Sequence, residues 1–386
     1  LSKNIYIASA ARTPVGSFQG SLSSLTAPEL GAHAIKATLT QANIEESKIS
    51  EAIFGNVVGA GLKQAPARQA MRNAGLPDAC GATTINKVCG SGMKAIMLAT
   101  DLLQADNGET ILAGGMESMS NAPYLIPKAR AGLRMGHQEI QDSLFLDGLE
   151  DAETGGSMGS FAQNTADEYQ LTRQDMDAYA TQSVTRARQA IEEKSLESEI
   201  KPIEIGAETI CDDEQPGRAK LDKISSLRPA FKADGTITAA NSSSISDGAS
   251  SVILTSNESL LNAEPLARIV GHATHSIHPS QFTIAPVGAI KKLIDKLGWQ
   301  LEEVDLFEIN EAFAMVTMLA IQELKLDPKK VNIYGGACAQ GHPIGSTGSR
   351  LVVTLAHAMK RLDMKKGIAA LCIGGGEATA VALERT

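Results

Sequence analysis

The sequence has no excess of basic residues. Its 35 Lys and Arg stand against 44 Asp and Glu, a formal net charge of −9. A chain of that sign lacks the basic face that non-specific nucleic-acid binding needs, although a local basic pocket could still hold an anionic ligand. It has no Cys-x-x-Cys pair either. The five cysteines, Cys80, Cys89, Cys211, Cys338 and Cys372, are odd in number and widely scattered. That argues against a disulfide framework, a zinc ribbon or a thioredoxin-like motif, and for a reducing compartment. No apolar run approaches the ~20 residues a membrane helix needs. Residues 1–12 show no long apolar stretch after a basic start, so no secretory signal is expected. These absences leave the expectation of a cytoplasmic protein with no membrane span and no metal site.

What is present is enough chain for a large core: 386 residues, 43% of them hydrophobic, more than one standard domain. Apolar stretches at 5–8, 52–58, 83–88 and 109–112 read as strands, and 29–41, 65–74 and 91–105 as helices. That alternation predicts an α/β architecture with largely buried strands. An internal repeat runs through it. Ile44-Glu45-Glu46 with Ala52-Ile53-Phe54 matches Leu301-Glu302-Glu303 with Asp305-Leu306-Phe307. Gly90-Ser91 opens a helix, as Gly345-Ser346 opens 347–359. Ala113-Gly114-Gly115-x-Glu117 corresponds to Ile373-Gly374-Gly375-Gly376-Glu377. The expected division is an N-terminal half of residues 1–118 plus 242–268, an inserted loop domain of 119–241, and a C-terminal half of 269–386. The insertion carries one clear helix at 175–194. A long excursion of this kind acts as a lid or binding loop, or as an oligomerisation arm.

Four segments could carry chemistry. In Asn86-Lys87-Val88-Cys89-Gly90-Ser91-Gly92-Met93-Lys94 a strand runs into a cysteine, glycines and a helix. The sulfur then sits at a helix N-terminus, which favours a thiolate. A small buried cysteine is usually inert core, but one flanked by Gly-x-Gly at such a turn reads as a nucleophile. His342, in Gly341-His342-Pro343-Ile344-Gly345, suits a general base for a thiol. As a metal ligand it has no partner at ligand spacing. Cys372 precedes Gly374-Gly375-Gly376, whose N–H groups are open to a ligand. No helix-opening Gly-x-Gly-x-x-Gly follows, so dinucleotide binding is a weak reading. Asn310, in Glu308-Ile309-Asn310-Glu311-Ala312-Phe313, could be an N-cap or could hold a water or an oxyanion. Strand carboxyl ends are where ligands bind in open α/β sheets.

Together these blocks, with Ala113-Gly114-Gly115-Met116-Glu117-Ser118 and Leu227-Arg228-Pro229-Ala230-Phe231, resemble the thiolase family over essentially the whole chain. The resemblance implies a duplicated five-layered αβαβα fold with an inserted loop domain. It implies Cys89 as nucleophile, His342 as its base and Cys372 as general acid/base. One oxyanion site would use Asn310 and His342, the other the N–H groups of Cys89 and Gly374. Coenzyme A would enter as substrate and product, with no separate cofactor, past Arg218, Leu227, Ala239 and Ser243. Met158, Phe282 and Phe313 map near the acyl pocket. Met158-Gly159-Ser160 and Ile284-Ala285-Pro286 look most like the type that joins two acetyl-CoA into acetoacetyl-CoA. That type usually carries His where this chain has Ser157; Phe282 stands where Met is common near the acyl pocket, and Gln340 where an aliphatic residue is usual. The alternatives are a broader-range 3-ketoacyl-CoA thiolase of β-oxidation and, more distantly, a non-catalytic acyl-CoA- or lipid-binding relative. The segment at about 121–149 maps to a tetramer-forming loop, so a dimer of dimers is expected, with a dimer as fallback.

Overall fold

The protein is described by a computed structural model over residues 3–385. The main elements are β1 (Ile5–Arg12), α1 (Ala27–Ala42), β2 (Glu51–Gly55), α2 (Pro66–Asn73), β3 (Gly81–Ile85), α3 (Ser91–Gln104) and β4 (Thr110–Ser118). After them come α4 (Met158–Glu168), α5 (Arg173–Glu192), β5 (Ser246–Thr255) and β6 (Ala267–Ser276). The chain ends with α6 (Ala285–Leu297), β7 (Leu306–Ile309), α7 (Ala314–Leu324), α8 (Thr347–Arg361), β8 (Lys366–Ile373) and β9 (Glu377–Glu384). Their strands join in the order β7-β8-β9-β6-β1-β5-β4-β2-β3.

The duplication is visible in the strand directions. In the first half β2–β4 is parallel, β4–β5 antiparallel and β5–β1 antiparallel. In the second, β7–β8 is parallel, β8–β9 antiparallel and β9–β6 antiparallel. The halves join where Ile5–Ile7 of β1 pairs with Ala267–Ile269 of β6. Only β3 has no full counterpart, reduced in the second half to one parallel bridge between Phe307 and Val331.

Apolar stripes at helical spacing decide which face each helix buries. Leu30, Ile35 and Leu39 of α1 and Met71 of α2 cover one sheet face with Phe54 and Leu112. Ile290 and Leu293 of α6 and Leu324 of α7 cover the other half with Phe307 and Ile368. Met93, Ile96 and Leu103 of α3 and Leu351, Val352 and Leu355 of α8 share the cluster between the halves. The result is five layers, αβαβα, with α3 and α8 in the middle. These two cross closely at glycines. A Cβ on Gly92 would stand 2.8 Å from the Ser349 nitrogen, and one on Gly348 2.5 Å from the Met93 nitrogen.

Several strand ends differ from the sequence expectation. The stretch 52–58 pairs only as far as Gly55, because the N–H groups of Val57 and Val58 turn to the Glu117 carboxylate. The stretch 83–88 stops at Ile85, because Val88 takes φ +48°. Conversely, 109–112 is the start of a strand that runs to Ser118. Among the described residues no helix is long and apolar enough to cross a membrane.

Candidate active site

Cys89 stands immediately before Gly90, the N-cap of α3. The preceding residue, Val88, adopts a left-handed backbone, which is costly for a β-branched side chain. Three bonds hold it there. Asn86 Oδ1 accepts from the Val88 N–H at 2.9 Å, the Ser91 hydroxyl donates to the Val88 carbonyl at 2.7 Å, and the same hydroxyl oxygen accepts from the Lys87 N–H at 2.8 Å. A side chain at position 90 would strike Ile373, its Cβ 2.3 Å from Cδ1, so the turn requires glycine. Burial pushes the Cys89 thiol up to about 11, and the Gly374 N–H pulls the other way. Burial therefore outweighs the N–H groups around it, and this sulfur needs a base to become a nucleophile.

His342 lies in the turn between the short helix Ala337–Gln340 and α8. Its Nδ1 is 2.6 Å from the Thr347 hydroxyl, whose single hydrogen goes to the Pro343 carbonyl at 3.0 Å. With the hydroxyl donating to that carbonyl, its oxygen accepts from Nδ1–H, the arrangement that leaves Nε2 with a lone pair. Nε2 is buried and has no partner among the described residues. Burial, with Arg350 adding to it, lowers the ring to about 3, so the imidazole is neutral. Ile344 of the same turn packs in one apolar cluster with Val88 and Cys89.

Cys372 is fully buried near the end of β8. Burial raises its thiol well above the ordinary range, with Cys89 adding to it, and a Cβ on Gly374, two residues on, would stand 3.6 Å from Val88 Cγ1, next to Cys89. Asn310 follows the end of β7, its N–H donating to the Ala370 carbonyl of β8 at 3.0 Å. It is not an N-cap: α7 begins at Ala314 behind Phe313. Its side chain is wholly buried, and neither amide atom finds a partner among the described residues. Met158, Phe282 and Phe313 share an apolar cluster with Cys372. A Cβ on Gly374 would stand 3.3 Å from the Met158 sulfur.

The remaining predicted residues fall between residues 218 and 243. Ser243 donates its N–H to the Ala312 carbonyl at 2.9 Å, and the Ser244 carbonyl accepts from the His342 N–H at 3.0 Å. One serine segment thus bridges the Asn310 and His342 turns. The Leu227 carbonyl accepts from Arg173 at 3.1 Å, and Ala239 is exposed. Arg218 sits apart, 59% exposed and paired with Glu214 at 2.6 Å. Ser157, at the position expected to hold histidine, caps α4 by accepting from the Ser160 N–H. Gln340 is buried and donates to the Tyr334 carbonyl.

The family model described as "Thiolase, N-terminal domain" matches residues 5–258, and that described as "Thiolase, C-terminal domain" matches 263–385. The chain belongs to the thiolase family. Relatives named acetyl-CoA acetyltransferase share this thiolase's full length. The Schizosaccharomyces pombe protein is 45% identical over 100% of both chains. The Pseudomonas aeruginosa protein is 46% identical over 99% of this chain and 100% of its own. A crystal structure of an Ascaris suum thiolase in complex with coenzyme A superposes with a TM-score of 0.95 at 41% identity, covering 100% of both. That of the Bacillus anthracis acetyl-CoA acetyltransferase gives 0.96 at 38%, covering 99% of each.

Sequence reasoning overlooked two side chains of this thiolase. Thr347 was legible only as the start of a helix, although a hydroxyl five residues after a histidine can fix its tautomer across a turn. Glu117 stood inside a quoted motif without a role, and its buried carboxylate accepts from both halves of the fold.

Proposed function

We propose that this thiolase catalyses the reversible Claisen condensation of two acetyl-CoA molecules to acetoacetyl-CoA and coenzyme A. The observation that carries the mechanism is a neutral His342 with an unpartnered, buried Nε2, in a turn whose Ile344 packs with the half-buried Cys89. His342 takes the Cys89 proton as the sulfur attacks the thioester carbonyl. The leaving coenzyme A thiolate takes the proton of the Cys372 thiol, so the acetyl group stays on Cys89 and Cys372 is left as its thiolate. Cys372, as its thiolate, removes an α-proton from the second acetyl-CoA. The resulting enolate carbon attacks the acetyl-Cys89 carbonyl, a carbon–carbon bond forms, and the Cys89 sulfur leaves as a thiolate that takes its proton back from His342. Negative charge develops on an oxygen twice, and two donor sets can each serve one step: the N–H groups of Cys89 and Gly374, and the Asn310 amide with His342.

Coenzyme A is substrate and product here, and no further cofactor or metal is required. Arg218, Leu227, Ala239 and Ser243 line its path, with Arg218 at the nucleotide end, where a guanidinium suits phosphate. Met158, Phe282 and Phe313 wall the acyl pocket, which supports a short acyl group. The scattered free cysteines support a cytoplasmic setting. The test is coenzyme-A-dependent cleavage of acetoacetyl-CoA beside 3-ketohexanoyl-CoA and longer substrates, with Cys89→Ala as control. Activity that falls steeply with chain length and vanishes in the variant supports the reading. Equal or better activity on long chains moves the protein to the broad-range class. Inactivity on all of them overturns the mechanism.

A further inference from the structure

The internal repeat aligns Glu117 with Glu377, each following a pair of glycines at the end of a catalytic strand. Their backbones have diverged. Glu117 lies within β4, whereas Glu377 follows a turn in which Gly375 and Gly376 take positive φ. Their partners nonetheless follow one rule. Glu117, in the first half, reaches into the second. Its Oε2 accepts from the Gly345 N–H at 2.9 Å, in the turn that carries His342. The same carboxylate accepts from the Val57 N–H at 2.9 Å, the Val58 N–H at 3.2 Å and Asn56 Nδ2 at 2.7 Å. Glu377, in the second half, reaches into the first. It pairs with Lys87, two residues before Cys89, and accepts from the Ser276 hydroxyl at 3.1 Å.

We propose that Glu117 and Glu377 are reciprocal struts: each half's glutamate grips the catalytic turn of the other half, and together they set His342 against Cys89. The inference rests on the roles proposed above for those two residues. Glu117 is the stronger strut. It is fully buried, and burial raises its carboxyl to about 7, while all four of its hydrogen-bond partners are donors that pull the other way, toward the ionised form. Its reach matters because the turn is tightly shimmed. A Cβ on Gly345 would stand 2.6 Å from Glu117 Oε2 and 2.8 Å from the Met116 carbonyl. The far side of the turn, Ile344, packs with Val57, Val58 and Cys89. One carboxylate thus ties together three backbone segments around the sulfur. The Lys87–Glu377 pair is partly exposed, with 20% and 31% of the side chains accessible, so it is the softer strut.

A buried carboxylate could instead serve stability alone, so the test reads alignment. Glu117→Gln keeps the volume but turns an amide toward N–H donors. Its kcat for acetoacetyl-CoA cleavage should fall on the order of 10-fold or more with KM little changed. Iodoacetamide alkylation of Cys89, followed by mass spectrometry, should slow by a similar factor, because His342 no longer meets the sulfur. A variant with native near-UV circular dichroism whose kcat and alkylation rate both stay within about two-fold of wild type overturns the strut. If Glu117→Gln does not fold, Lys87→Met and Glu377→Gln carry the test. Each should slow alkylation by roughly three-fold, the double variant no more than the worse single, and Lys87→Arg should restore the rate. Unchanged rates, or losses that multiply, overturn the reciprocal arrangement. The alkylation readout needs no turnover, so a wild-type chain inactive on acetoacetyl-CoA would sink the proposed reaction while leaving the struts to be judged separately.

Discussion

The chemistry turns on one hydrogen at Nδ1 of His342. Thr347 holds it there when its own hydroxyl hydrogen goes to the Pro343 carbonyl. Thr347→Val removes the acceptor and keeps the shape. We expect kcat to fall by roughly 10-fold with KM little changed, and Thr347→Ser to restore most of the loss, measured by steady-state cleavage. The same ring has a stability signature. Its pKa is lowered from 6.5 to about 3, so below pH 6.5 the unfolded chain binds a proton that the folded chain refuses. Stability is therefore full above that pH and is lost as pH falls toward 3. Between pH 7 and pH 5 the wild type should lose about 2 kcal/mol more than His342→Asn. His33, His272, His275 and His357 are lowered too, but both proteins share them and they cancel in the difference. Equal pH slopes in urea unfolding of the two proteins would refute the buried neutral ring. At this scale the residue types were readable from the sequence: a cysteine and a histidine between glycines announce themselves. Their ionisation was not. Cys89 stands at a helix terminus, the setting that suggests a thiolate, yet burial raises its thiol, and its packing draws on Ile344, which is distant in sequence.

Elements place these residues through their ends. Strand β2 stops at Gly55 and β3 at Ile85 so that the following backbone can turn into the site. The sequence suggested longer strands because Val57, Val58 and Val88 are good strand residues, but Glu117 claims two N–H groups and Val88 is driven into positive φ. Strand β5 escaped sequence reading for the opposite reason. Ser246, Asp247, Gly248, Ala249, Ser250 and Ser251 have little strand propensity, and only pairing with β1 and β4 makes them a strand. Helix starts were easier to read, because Gly90-Ser91 and Gly345-Ser346 mark real helix openings at Ser91 and Thr347. What the sequence did not disclose is that α3 and α8, each leading away from a catalytic turn, touch at glycines. Gly348→Ala places a methyl against the Met93 backbone. Overpacking of this kind should cost about 1–3 kcal/mol in denaturant unfolding, with a loss of activity because both turns ride on these helices. Gly217→Ala, where nothing lies within 4 Å, is the control and should be neutral. Equal stability of the two variants would show that the helix crossing has slack.

The whole molecule is a duplicated sheet with unequal edges. Strand β7, at one end, has four buried residues and the Val331 bridge beside it. Strand β3, at the other, leaves Gly81 and Thr83 exposed and pairs on one side only. An open edge in a large sheet invites a second copy, and self-complementary pairing about a two-fold axis is the simplest way to close it. A separate surface lies on the arm around the hairpin Tyr124–Leu125 with Gln141–Asp142. There Tyr124, Ile126, Leu133, Met135 and Ile140 are exposed, Met135 completely. Apolar side chains concentrated on one arm are unusual for a free surface. The dimer of dimers expected from the sequence would use both surfaces, the open edge to join pairs and the arm to join pairs of pairs. The double variant Met135→Asp, Ile140→Asp places charge only on the arm. Sedimentation velocity should show the wild type as a tetramer and the variant as a dimer, with acetoacetyl-CoA cleavage per chain largely kept, because none of these arm residues belongs to the catalytic set. A variant that remains tetrameric would relieve the arm of its role, and a wild type that sediments as a dimer would leave only the edge strand as an interface.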